Sequence, residues 1–363
     1  MRGTVKAVAA LSVTALLAAG CAKPAASISA PAKFKACMVT DIGGINDKSF
    51  NQSSWQGMLD AQQAAPAKIH AQNLQSTSES DYAKNISAFI AQKCGIIVTV
   101  GFLMGTATEA AAKANPSQKF AIVDCSYASQ CLTGPKESNI DQLVYDTAQD
   151  AFLGGYLAAG MTRTGKVATY GGEKFGTVTI YMDGFWDGVQ YYNSKHHTHV
   201  RVLGWSEPSQ QGVFANSFTD TGAGQRIANT FINAGADIIF PVAGNVGQGS
   251  AAAVKTADQG GKRVSMFWVD TDGCVSDAPY CQYFMTSVEK GITASVRNAV
   301  LSAVNDQFQG GTYVGNLTNG GAALAPFYAP WRTLVPAALK NELAQVKSGI
   351  EDGTIATPTK SPV

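Results

Sequence analysis

The run Ala36-Cys37-Met38-Val39-Thr40 leads directly into Asp41-Ile42-Gly43-Gly44-Ile45-Asn46-Asp47-Lys48-Ser49-Phe50-Asn51-Gln52. Its first five residues carry no charge and read as a buried strand. The polar loop that follows contains adjacent glycines and feeds a helix read over residues 55–65. A strand that passes through such a loop into a helix is the opening of an α/β unit. The loop also puts an amide (Asn46), a carboxylate (Asp47) and an aromatic ring (Phe50) close together at a strand's carboxyl end. Turn and capping chemistry would use the same residue types.

The alternation continues outward from this stretch. Residues 69–73, 95–100, 120–124 and 142–145 read as strands. Tyr82, Ile86, Phe89 and Ile90 recur at helical spacing, and a further helix starts near Thr106, with Thr106 and Glu109 spaced as a capping box. The pattern then restarts. Helices are expected over 147–161, 177–193, 227–234, 250–257, 290–305 and 335–348. Strands are expected over 166–170, 200–204, 237–241, 264–270 and 284–287. Two such halves predict an α/β protein with two doubly wound parallel-sheet lobes. Ligands of such sheets collect beyond the carboxyl ends of the strands.

Composition narrows the class. With 363 residues, 45% apolar and 15% charged, the chain can bury cores for two domains and is not of the disordered type. Lys plus Arg is 27 against 26 for Asp plus Glu, which argues against a nucleic-acid binder. No internal run reaches the roughly 18 apolar residues of a membrane span. Residues 1–20 read as a signal peptide, with Arg2 and Lys6 ahead of an apolar run that ends Leu16-Leu17-Ala18-Ala19-Gly20-Cys21. This ending resembles a bacterial lipobox, although the commonest form has Leu where Ala18 stands. Cys21 would then carry the lipid and anchor the protein to the outer face of the cell membrane. Residues 21–33 would be a flexible Ala/Pro/Ser linker, and the mature chain would carry 25 basic and 26 acidic side chains.

Six further cysteines outside the cytoplasm suggest three disulfides, for which 15 pairings exist. Cys125 with Cys131 and Cys274 with Cys281 are close in sequence, which leaves Cys37 with Cys94. Both of these begin strands that would have to be parallel neighbours. No pair shows the two-residue spacing of a zinc knuckle or redox centre.

The stretch from Val39 to Gln52 resembles the signature of the BMP (basic membrane lipoprotein, PnrA-like) purine nucleoside receptors, which are substrate-binding proteins of ABC transporters. Further short matches follow in family order over residues 36–310. They are Val100-Gly101-Phe102-Leu103, Lys119 to Asp124, Ala151 to Ala159 with Thr164-Gly165-Lys166-Val167, Asp183-Gly184-Phe185 with Gly188-Val189, Val242-Ala243-Gly244, Val269-Asp270, and Thr286-Ser287 with Lys290. The resemblance implies the type I periplasmic-binding-protein fold with a ligand cleft between the lobes. The first lobe would comprise 34–146 with 289–310, and the second 147–288 with 311–363. It also implies site roles. Asn46 and Asp47 would hydrogen-bond a base, and Phe50 with Phe185, or Trp186 in its place, would stack on it. Asp124 and Asp270 would accept from sugar hydroxyls, balanced by Lys290, and Gly101 and Gly244 would let backbone N–H groups approach. The plainer readings are a core aromatic for Phe185, a solvated helix start for Lys290, and capping for Asp124 and Asp270.

Three other signals carry less. Gly244-Asn245-Val246-Gly247-Gln248-Gly249 lacks the glycine spacing of a dinucleotide site and the Lys of a P-loop, so a strand–helix turn is expected. His196, His197 and His199 fall between a helix and a strand and read as a surface turn. Asp270-Thr271-Asp272-Gly273 has Cys281 where a calcium loop needs Glu. It is also a weak likeness to the Asp cluster of nucleoside hydrolases, and no nucleophile elbow or placed His supports an enzyme. The expectation is a lipid-anchored binding protein that delivers a nucleoside, by preference a purine nucleoside, to an ABC permease and its ATPase. No cofactor, metal or nucleic acid is called for. A sensory lipoprotein for another small polar solute is the alternative.

Overall fold

In a computed structural model of the chain, residues 33–361 and 363 are described. The signal peptide and Cys21 lie outside the described residues. β1 (Phe34–Thr40), α1 (Phe50–Ala64), β2 (Ile69–Leu74), α2 (Tyr82–Ala91), β3 (Ile96–Val100), α3 (Gly105–Ala114), β4 (Phe120–Val123) and β5 (Ile140–Tyr145) build the first lobe. α4 (Ala148–Met161), β6 (Lys166–Gly171), α5 (Gly176–His196) and β7 (Arg201–Leu203) open the second. A small ribbon of β8 (Trp205–Ser206) and β9 (Gln211–Gly212) comes next. It is followed by α6 (Thr221–Asn233), β10 (Ile238–Val242), α7 (Val246–Gln259), β11 (Ser265–Asp270), the single turn α8 (Gly273–Ser276) and β12 (Phe284–Lys290). α9 (Ile292–Val304) and β13 (Gly311–Gly315) return to the first lobe, whereas β14 (Ala322–Leu324), α10 (Trp331–Leu334) and α11 (Ala337–Glu351) follow on the second.

Each lobe holds a six-stranded sheet. The first runs β13-β5-β4-β3-β1-β2 with all pairings parallel. The second runs β14-β12-β11-β10-β6-β7 and is parallel except for β14, which pairs antiparallel to β12. The chain therefore passes between the lobes three times, after β5, after β12 and after β13. Residues 311–315, expected in the second lobe, are instead the edge strand of the first. A five-residue strand with glycine at both ends carries too little periodicity to be assigned to a sheet by pattern. Residues 289–290, expected in the first lobe, complete β12 in the second.

Both sheets are buried on both faces, which is why their strands read as continuous apolar runs. In β1, Ala36 and Met38 face one core with Met58 of α1 and Val296 and Val300 of α9. Cys37 and Val39 face the other, with Ile86, Phe89 and Phe120. β1 and β3 are parallel neighbours, and Cys37 is bonded to Cys94 just before β3. Cys125–Cys131 and Cys274–Cys281 are also bonded, as their neighbourhood in sequence suggested. The capping box does not form. α3 already begins at Gly105 behind a short 3₁₀ turn, so Thr106 lies inside it. Glu109 accepts instead from the backbone N–H groups of Thr133 (3.3 Å) and Gly134 (2.8 Å).

In the second lobe α4 and α5 pack almost backbone to backbone. A Cβ on Gly188 would lie 2.0 Å from the Phe152 carbonyl oxygen, and one on Gly155 2.0 Å from that of Phe185. Gly188→Ala should therefore lower the unfolding free energy by about 1–3 kcal/mol, the usual cost of overpacking. Denaturant titration checks this, and an unchanged midpoint would contradict the close packing.

Candidate functional site

Strands of both sheets aim their carboxyl ends at one cleft between the lobes, as the geometry of parallel sheets requires. β1, β4 and β11 each end on or run into an aspartate, Asp41, Asp124 and Asp270, and all three carboxylates are buried there. Asp124 (φ 61°) and Asp270 (φ 67°) adopt the left-handed conformation, which Asp tolerates better than most residues. β12 ends on Lys290, the one cation among the described residues lining this cleft.

Lys290 binds the carboxylate of Asp124 through Nζ, and its ammonium lies 3.7 Å from Asp270 Oδ1. The Tyr181 hydroxyl donates to Asp270 Oδ1 at 3.0 Å, and the Ser49 hydroxyl donates to Oδ2 at 2.7 Å. Burial alone would lower the pKa of Lys290, but Asp124 and Asp270 outweigh it and hold the ammonium above the ordinary lysine value. Burial pushes Asp124 up to about 6 against the pull of Lys290, so the pair is ionised at neutral pH. The rings of Phe50 and Tyr181 flank the ammonium, with centroids 5.4 and 5.0 Å from Nζ.

A second polar group, Asp41 with Asn51, also lines the cleft. Asn51 Nδ2 donates to Asp41 Oδ1 at 3.0 Å, while Asn51 Oδ1 is buried without a partner. Burial raises Asp41 to about 8 in spite of that hydrogen bond. An unpartnered buried acceptor beside a carboxyl group leaves polar capacity for a ligand. Neither residue was among the sequence candidates. The signal was available, since Asp41 follows its strand as Asp124 and Asp270 follow theirs.

Several candidates fall elsewhere. Gly101 does not offer its N–H to the cleft, because that group donates to the Val123 carbonyl (3.1 Å). Its role is room: at φ 110°, an added Cβ would lie 2.1 Å from Asp41 Oδ2. Asn46 is exposed and does not line the cleft. Asp47 does line it, but accepts from the backbone N–H groups of Ser49 (3.1 Å), Asn51 (2.8 Å) and Gln52 (3.0 Å). It thereby starts α1 five residues earlier than the apolar pattern indicates. Phe185 is wholly buried against Phe240 and Phe267, and Trp186 packs on the same core, so neither can stack on a ligand in the cleft. Phe50 and Gly244 do line the cleft. The aromatic surface missing from the sequence reading is Phe102 of the first lobe, stacked on Phe175 of the second at 5.0 Å, with Phe218 6.4 Å beyond.

The loop after β1 also joins the lobes. The Lys48 carbonyl accepts from Trp268 Nε1 (2.9 Å) and Ser276 Oγ (2.7 Å). Among the weaker signals, Gly244–Gly249 is the turn into α7, and His197 ends α5 in the left-handed conformation. Asp272 caps α8 by accepting from the Cys274 N–H at 2.9 Å. Among the described residues, no group of three or more His, Cys, Asp or Glu could hold a metal ion, and no helix is long and apolar enough to cross a membrane.

Comparison with known proteins agrees with the fold. The family described as ABC transporter substrate-binding protein PnrA-like matches residues 34–315. A Lactococcus lactis subsp. cremoris protein named ABC transporter nucleoside-binding protein BmpA is 30% identical over 340 residues, 90% of this chain and 89% of its own length. A Listeria monocytogenes protein named CD4+ T-cell-stimulating antigen is 28% identical, covering 77% of this chain and 76% of that one. Among solved structures, an ABC transporter solute-binding protein from Aeropyrum pernix K1 superposes with a TM-score of 0.78 at 22% identity, covering 90% of this chain and 94% of that one. That last likeness shows the type I periplasmic-binding fold.

Proposed function

The chain belongs to the PnrA-like ABC transporter substrate-binding proteins, and from that premise we propose that its cleft captures a purine nucleoside. The family is extracytoplasmic, works with an ABC permease and ATPase on a small-molecule ligand, and is not an enzyme class. The observation that carries the finer reading is the buried Asp124–Lys290–Asp270 group, which spans the two lobes beside aromatic rings. Paired carboxylates suit the vicinal hydroxyls of a ribose, and the Lys290 ammonium pulls the Asp124 carboxyl back toward its ionised form against burial. Ser49 and Tyr181, which donate to Asp270 here, would exchange with or share those hydroxyls. Phe50 and the Phe102–Phe175–Phe218 surface suit the faces of a base; such stacking is typically worth about 1–3 kcal/mol per base. Asp41 and Asn51 suit its polar edge. Asn46, Phe185 and Trp186 have no part in this arrangement, and Asp47 acts through the start of α1.

Contacts from both lobes favour the closed state, and closure is a population shift driven by those contacts. Anchoring through a lipid on Cys21 completes the proposal and keeps the protein beside its permease. The test is mass spectrometry of ligand extracted from residues 34–363, followed by calorimetric titration with adenosine, guanosine, inosine, cytidine and ribose. An intact purine nucleoside, bound more weakly after Asp270→Ala, is the expected result. Absence of nucleoside binding at millimolar concentrations by folded, ligand-free protein would reject the nucleoside and leave the fold and family in place. Metabolic labelling with a fatty acid, abolished by Cys21→Ala, checks the anchor.

A further inference from the structure

The segment beyond α11 runs back along the second lobe and is hydrogen-bonded to α5. Asp183, on α5, is completely buried. Its Oδ1 accepts from Trp205 Nε1 (3.0 Å) and Gln210 Nε2 (2.8 Å). Its Oδ2 accepts from the Thr359 hydroxyl (2.8 Å) and the Lys360 N–H (3.3 Å). One whole oxygen of a buried carboxylate is thus satisfied by the tail alone. Ser361 is buried too, with its hydroxyl 2.6 Å from that of Thr179 one turn nearer the start of α5. Lys360 Nζ donates to the Pro208 carbonyl at 2.9 Å.

Val363 then reaches a small cavity where the lobes meet. Ser129, Val144 and Tyr145 line it from the first lobe, and Gly176, Thr177 and Ile180 from the second. Asp124, Lys290 and Thr177 belong both to this cavity and to the main cleft. α5 itself supplies Thr177, Val178 and Tyr181 to that cleft, and Tyr181 holds Asp270. The tail therefore holds α5 at Thr179 and Asp183, on the face turned away from Thr177, Val178 and Tyr181, in the same turns of the helix that present those residues to the cleft.

We infer that Thr359, Lys360, Ser361 and Val363 form a strap that positions the start of α5 and fills the gap between the closing lobes, so that it sets how tightly ligand is held. The inference goes beyond the nucleoside reading and does not depend on which small molecule enters the cleft. It follows from two groups of contacts: the tail's bonds to Asp183 and Thr179, and the position of Val363 next to Asp124 and Lys290. Losing the tail's buried hydrogen bonds corresponds to roughly a tenfold change in an equilibrium that depends on them.

The experiment compares the full chain with two variants, deletion of 359–363 and Thr359→Val with Ser361→Ala. Inosine is the titrant, and a spin label on each lobe reports the distance between the lobes without ligand. The expected result is an approximately tenfold loss of inosine affinity, expressed as faster release, and a shift of the unliganded distances toward the open state. Wild-type affinity and distances in both variants would overturn the inference. So would a lowered melting temperature with unchanged affinity and distances, which is the signature of a tail that only adds stability. If the unaltered chain itself fails to bind inosine, the nucleoside reading falls, and the inter-lobe distances alone decide for or against the strap.

Discussion

Replacing Lys290 with Met should abolish nucleoside binding and destabilise the unliganded protein by about 3–5 kcal/mol, the range for removing one partner of a buried ion pair. Met keeps most of the volume of the side chain, so the loss is one of charge rather than packing. Asp124 and Asp270 would then face each other's field with no cation among the described residues of the cleft. Asp124, already raised by burial and now without the pull of Lys290, rises further and takes up a proton to stay buried. That requirement gives the effect a sign in pH. The variant's folded state holds a proton that the unfolded state releases near pH 4, so its deficit grows as pH rises above that value. Adding Asp124→Asn to Lys290→Met removes the stranded charge and should recover most of the stability. Binding should not return, because an amide offers the ligand a poorer acceptor and the ammonium is still missing. Chemical denaturation and calorimetry on the two variants separate these effects. A Lys290→Met protein that binds inosine with near wild-type affinity would remove Lys290 from the site.

The second large effect is a loss of stability of the unliganded protein as pH rises from about 4 to 8, and it traces to Asp41. Burial raises its folded-state pKa to about 8 from a reference value of 3.8. Between those values the native state holds a proton that the unfolded state has released, so each pH unit upward lowers the unfolding free energy. The slope cannot exceed about 1.4 kcal/mol per unit for one group, which bounds the contribution of Asp41 at about 5 kcal/mol over the window. Asp124, also raised to about 6 by burial, adds a contribution of the same sign over the lower part of the range. Asp41→Asn substitutes a neutral side chain of the same shape. It should flatten the profile and leave the variant more stable than the wild type at pH 8. Denaturation midpoints at half-unit steps of pH measure both curves. A profile that rises with pH, or one that Asp41→Asn leaves unchanged, would show that the carboxyl is already ionised in the fold.

The parts of this molecule legible in its sequence are those fixed by local chemistry. Strands buried on both faces are apolar throughout, and β1, β3, β4 and β11 were found on that signal. Asp124, Asp270 and Lys290 were named through the family resemblance; the two aspartates stand at ends of strands read from pattern, whereas Lys290, read as a helix start, ends β12. Two kinds of information were not local. Phe185 carries the same pattern whether its ring faces a cleft or the Phe240–Phe267 core, and only the rotation of α5 against its sheet decides. Asn46 and Asp47 are adjacent in sequence, yet one is exposed and the other is consumed by three backbone N–H groups. The aromatic surface was missed for a related reason. Phe102, Phe175 and Phe218 come from distant loops, and nothing in any one loop announces that they meet.

The three passages of chain between the lobes also set an order of assembly. The first lobe needs α9 and β13, whose residues lie more than 140 positions after β5, for its core and its edge. A chain that emerges from its amino end cannot finish that lobe until nearly all of the second has appeared. Residues 34–146 alone would leave Met58 and Val98 without Ile292, Val296 and Val300 against them. Neither half can be cut out as a contiguous piece, and the two must mature together.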